Sequence, residues 1–103
     1  VMAGKSRSDI IRDIEDFMAR SGGGGAEWFV SVTDNPKRKL FTDHKVRSEG
    51  DGWISRRALD DLQAQQIEEY FRTVRKTVAA PKITGGMDAV YVYAYRRKAH
   101  TKP

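Results

Sequence analysis

Residues 28–33, Trp-Phe-Val-Ser-Val-Thr, alternate with the period of an extended chain, and the alternation stops at Asp34-Asn35-Pro36. Side chains in a strand point to opposite faces in turn. Trp28, Val30 and Val32 therefore share one face, and Phe29, Ser31 and Thr33 share the other. Asn35 is a favourable N-cap and Pro36 falls where proline is favoured, at the first helical position. A helix is therefore expected over 36–44. Its first turn holds Lys37, Arg38 and Lys39, with Leu40, Phe41 and His44 behind them. Cations there oppose the helix dipole. A local rule broken without evident gain points to function, although solvated lysines break it at little cost.

The remaining segments yield to the same periodicities. Residues 6–20 read as an amphipathic helix with Ile10, Ile11, Ile14, Phe17 and Met18 on one stripe, started by Ser6 with Asp9 three residues on. The glycine run at 21–26 lacks phosphate-loop spacing and reads as a linker. Residues 48–52 form a polar loop. A second strand is expected over 53–58, with Ile54 and Arg56 opposed to Trp53, Ser55 and Arg57. Asp60 caps a long helix over 61–77, whose apolar face is Ile67, Tyr70, Phe71 and Val74, with Glu68 at its flank and Arg72 in reach of it. After a loop at 81–86, a third strand over 89–96 puts Val90, Val92 and Ala94 on one face and Tyr91, Tyr93 and Tyr95 on the other. A basic tail, 97–103, follows it.

Three strands and three helices in 103 residues predict one α/β (α+β) domain over 1–103: a small mixed or antiparallel sheet flanked by helices, with a flexible start at 1–7. The absence of cysteine excludes a disulfide framework and thiolate metal sites and suits a reducing cytoplasm. No apolar run is long enough to span a membrane. A net charge of +5 favours an anionic partner, though a merely basic soluble protein has the same balance.

The segment Phe29-Val30-Ser31-Val32-Thr33-Asp34-Asn35-Pro36-Lys37-Arg38-Lys39-Leu40 resembles the central motif of the GIY-YIG nuclease superfamily. The terminal Val-Tyr-Val-Tyr-Ala-Tyr strand resembles that of a group of small proteins carrying this module. The resemblance spans roughly residues 8–103. It implies a strand leading into a helix that supplies a metal-holding glutamate, a position occupied here by Glu68. It also implies an arginine that stabilises phosphoryl charge, whose column falls on Lys39 with Arg38 one residue earlier. Phe29 stands where the family has a tyrosine and Ser31 where it has a glycine. The family's first strand has no counterpart before Trp28, and the last strand can fill its place as in a circular permutation.

Cleaving a phosphodiester places charge on phosphate oxygens, so a bidentate cation and a hard metal are the expected stabilisers. Lys39 cannot copy a guanidinium fork. Phe29 has no hydroxyl, leaving Tyr91 or Tyr93 and His44 to move protons. His44 reads equally as a base or as a helix-end residue, and three tyrosines on one face read also as packing. The expected state is a retained scaffold with an eroded site. It requires no cofactor, and Mg²⁺ or Mn²⁺ enters only if nuclease activity persists. Three functions stay open: a binder of nucleic acid through Lys37, Arg38, Lys39, Arg57, Arg96, Arg97 and Lys98; an inhibitor or adaptor, of phage or mobile-element type, acting on a nucleic-acid-processing protein; or a metal-dependent endonuclease.

Overall fold

A computed structural model of the chain describes residues 4–22, 25–47, 52–78, 89–99 and 101. The order of elements is α1 (Arg7–Ser21), β1 (Trp28–Thr33), a single π-helical turn (Arg38–Asp43), β2 (Trp53–Arg57), α2 (Asp61–Val74) and β3 (Tyr91–Arg96). The fold is α+β, with one antiparallel sheet in the order β1-β3-β2. No helix among the described residues is long and apolar enough to cross a membrane.

Both long helices begin where local chemistry dictates. The Ser6 hydroxyl accepts from the Asp9 amide and the Asp60 carboxylate accepts from the Gln63 amide, each filling one of the orphan donors of a helix start. The helices lie on one face of the sheet. Ile10 and Ile14 of α1, and Ala64, Ile67 and Phe71 of α2, pack on Trp28, Val30, Val32, Ile54, Val92 and Ala94. The opposite face carries a separate cluster of Phe29, Tyr93 and Tyr95 under Leu40 and Val46, with Phe41, Trp53 and Val78 around it. The period-2 pattern of each strand thus divides its side chains between two cores.

Several expectations change. The segment at 36–44 does not run as a regular α-helix. Asn35 caps it as expected, its side chain accepting from the Arg38 amide, but the turn then widens. The His44 amide reaches back to the Lys39 carbonyl and the Val46 amide to the Leu40 carbonyl. Leu40, His44 and Val46 are all buried, so folding three side chains onto the sheet outweighs a regular ladder. Lys45 turns the chain inward through a left-handed conformation, φ 61°, at a cost of about 1–2 kcal/mol.

The second helix ends at Val74 rather than 77, and Val74 is exposed. The amides of Arg75 and Thr77 both return to the Phe71 carbonyl, and Lys76 is left-handed, φ 58°. This reversal lets Val78 pair with the outer edge of β1, exchanging backbone bonds with Trp28 and Val30. Glu68, expected at the flank of the apolar face, is 1% exposed. The last strand begins at Tyr91, and the loop at 81–86 lies outside the described residues.

Phe71 is fully buried and Val74 is 57% exposed. Phe71→Ala is expected to cost about 3–5 kcal/mol, and Val74→Ala less than about 0.5 kcal/mol. Urea denaturation with an unchanged slope checks both. Equal losses at the two positions contradict this packing.

Candidate functional site

The antiparallel register aligns the second sheet face into three rows. Phe29, Tyr95 and Trp53 form the first, Ser31, Tyr93 and Ser55 the second, and Thr33, Tyr91 and Arg57 the third. The π-turn and the residues after it lie over the first two rows. The His44 ring is 4.8 Å from Phe29 and 5.0 Å from Tyr95, and Phe29 stacks on Tyr95 at 5.2 Å. Nε2 of His44 meets the Tyr93 hydroxyl at 2.8 Å, and Nδ1 meets the Tyr95 hydroxyl at 3.2 Å. In the neutral form of an imidazole one nitrogen donates and the other accepts, so in that form one tyrosine accepts from the ring while the other donates to it.

Burial pushes the Tyr93 phenol up to about 12, against the opposing pull of a hydrogen bond to Ser31 and with a further push from the Asp43 charge. Burial also raises Tyr95. Both hydroxyls are therefore neutral hydrogen-bonding groups near neutral pH. His44, Tyr93 and Tyr95 are almost wholly buried, so this cluster joins the π-turn to the sheet with polar groups paired inside an aromatic core.

Beyond the cluster the cover stops. A groove of about 350 Å³ opens beside the third row, lined by Asp34, Asn35, Pro36, Lys37, Leu40, Trp53, Ser55 and Tyr91. The Arg57 guanidinium stands 6.0 Å over the Tyr91 ring. Neither Lys37 nor Arg57 has an acidic partner among the described residues. Their neighbours on the turn are paired: Arg38 lies 3.9 Å from Asp34, and Lys39 lies 3.5 Å from Asp43. Those carboxylates offset the cations at the start of the turn.

The remaining candidates lie elsewhere. Arg96 is held at the far end of β1, donating to the Ser21 carbonyl and to Glu27, and Arg97 donates to the Ala26 carbonyl. Five rises of about 3.4 Å put some 17 Å between that end and the third row. The basic residues thus form two sites along the sheet, with exposed Lys98 beside the Arg96 end. Glu68 belongs to α2, on the opposite face from Lys39, His44 and Tyr91. Its carboxylate pairs with Arg72 at 3.2 Å. Burial holds its proton affinity above the usual 4.5, despite the Arg72 charge. Among the described residues no group of three or more His, Cys, Asp and Glu side chains could hold a metal ion. Trp53 and Ser55 were not singled out in the sequence; their alternation in phase with Arg57 is the signal that assigns them to this face.

Three measurements probe these environments. Folded Glu68 binds its proton more tightly than unfolded Glu68, so its contribution to stability is lost as pH rises from 4.5 through the raised value. Ionised Glu68 thus opposes folding at neutral pH. Glu68→Gln should be at least as stable as the parent at pH 7, with the advantage shrinking toward pH 4. A loss above about 1 kcal/mol at pH 7 means that the Arg72 pair outweighs the burial cost. Tyr93→Phe strips a buried partner from His44 and should cost about 1–3 kcal/mol. In the parent, near-ultraviolet alkaline titration should show the Tyr93 phenolate forming near 12, with stability falling between the ordinary 10 and that value as the unfolded chain loses its proton first.

No family model, no curated protein and no solved structure matches this chain.

Proposed function

We propose that this chain is a catalytically impaired GIY-YIG-like domain that acts in the cytoplasm by binding nucleic acid. The observation that supports it is the third row of the sheet's second face. Half-buried Tyr91 carries Arg57 over its ring, and Lys37 lines the adjoining groove with half-buried Trp53. Cations beside aromatic rings suit a phosphate backbone with its bases: the cations displace counterions and the rings stack on bases. The tail cations from Arg96 onward form a second contact on a longer strand.

The impairment rests on position. Phe29, in place of the motif tyrosine, is 1% exposed beneath His44. His44 uses both ring nitrogens on buried tyrosines. Glu68 is separated from Lys39 by the sheet. A phosphate beside the basic turn therefore meets cations without the glutamate.

A labelled single strand of ten or more nucleotides, followed by fluorescence anisotropy at several salt concentrations, tests this. The double variant Lys37→Ala, Arg57→Ala should bind more weakly and with a log–log salt slope shallower by roughly 0.7 per lost contact. Supercoiled plasmid with Mg²⁺ or Mn²⁺ should remain uncut. Cleavage abolished by Glu68→Ala restores the endonuclease reading. No binding of DNA or RNA at low salt refutes nucleic-acid binding and leaves a nucleic-acid-processing protein as the partner.

A further inference from the structure

The groove contains one group that a phosphate would avoid. Asp34 lines it beside Lys37, Trp53 and Tyr91. Its side chain is 59% exposed. One carboxylate oxygen accepts from the Thr33 hydroxyl at 3.4 Å and lies 3.9 Å from Arg38. These contacts orient the carboxylate without exhausting it, since two oxygens offer about four acceptor positions. The neighbouring Asn35 is already engaged, its side-chain oxygen accepting from the Arg38 amide. Asp34 is thus the groove's strong acceptor, in a lining that also holds Lys37, Trp53 and Tyr91.

We infer that the groove takes one unpaired guanine of a single strand, read at its edge by Asp34. The inference rests on the nucleic-acid-binding reading and deepens it. A volume of about 350 Å³ suits a single base with its sugar and is at the small end of ligand sites. Guanine presents N1–H and N2–H₂ side by side, two donors that match the two oxygens of one carboxylate. Thymine offers a lone N3–H between two carbonyls, which the carboxylate repels. Adenine and cytosine each offer one amino group beside an acceptor nitrogen. In a duplex these edges are already paired, so the groove selects single strands. The base packs against Trp53 and Tyr91, and Lys37 and Arg57 meet the adjoining phosphates.

The test uses three labelled probes: a ten-nucleotide thymidine strand, the same strand with one central guanine, and the guanine strand annealed to its complement. The parent should bind the guanine strand about five-fold or more tighter than the all-thymidine strand, the advantage of one bidentate base contact. It should bind the duplex more weakly than the guanine strand. Asp34→Asn should erase the guanine preference while retaining or improving affinity for the all-thymidine strand, because a repulsive charge has gone. Circular dichroism confirms that each variant is folded. Equal affinity for the two single strands, or an unchanged preference in Asp34→Asn, overturns base reading while nucleic-acid binding stands. Duplex binding as tight as single-strand binding overturns the unpaired base. Failure to bind any probe removes both readings together.

Discussion

The structure depends on the last strand occupying the middle of the sheet. β3 pairs with β1 on one side and β2 on the other, so within the described sheet two segments distant in sequence are hydrogen-bonded through it. Neither outer strand pairs with the other. The same strand supplies both cores, with Val92 and Ala94 beneath the helices and Tyr93 and Tyr95 beneath the π-turn. Pairings between distant parts of a chain pay loop-closure entropy before they return contact energy, so local structure must offset the cost. The capped helices α1 and α2 supply such local structure and present an apolar surface to the sheet.

Much of this was legible because two periods, 2 and 3.6, make different patterns. The strand faces follow from alternation, and Ser6 and Asp60 mark helix starts through side-chain chemistry that acts locally. What escaped was set by distant partners. Val74 continues the helical spacing of Ile67, Tyr70 and Phe71, but the chain turns away to put Val78 against β1. Glu68 looks like a solvated flank residue, yet α2 is covered by both the sheet and α1, which leaves its flank little water. The π-turn was hidden for the same reason, since Asn35-Pro36 starts a helix without saying how many residues each turn holds. The pairing of His44 with Tyr93 and Tyr95 joins residues far apart in sequence, which no local pattern encodes.

The candidate site was legible in composition and less so in arrangement. Lys37 and Arg57 were identified by charge and both lie by Tyr91, Lys37 in the groove's lining and Arg57 over the ring. Arg96 and Arg97 were identified on the same grounds but are tied at the other end by Ser21, Ala26 and Glu27. Charge clustering in sequence cannot separate these cases, because antiparallel pairing decides which ends lie together. Tyr91 could not be told from Tyr93 and Tyr95 by alternation. What separates them is the length of the cover above.

That cover explains why a groove exists. A sheet face buries itself only where an element lies across it, and here the covering element is one wide turn rather than a full helix. The buried residues of the turn and of the segment after it, Leu40, His44 and Val46, lie over the cluster containing Phe29, Tyr93 and Tyr95. The third row is left with buried Thr33, half-buried Tyr91 and exposed Arg57. Extending the cover over Tyr91 would bring the Arg57 charge, which has no acidic partner among the described residues, under apolar atoms, at a desolvation cost that burying part of one ring does not repay. The position of Arg57 at the end of β2 therefore limits the second core and leaves Tyr91 half-buried beside the groove.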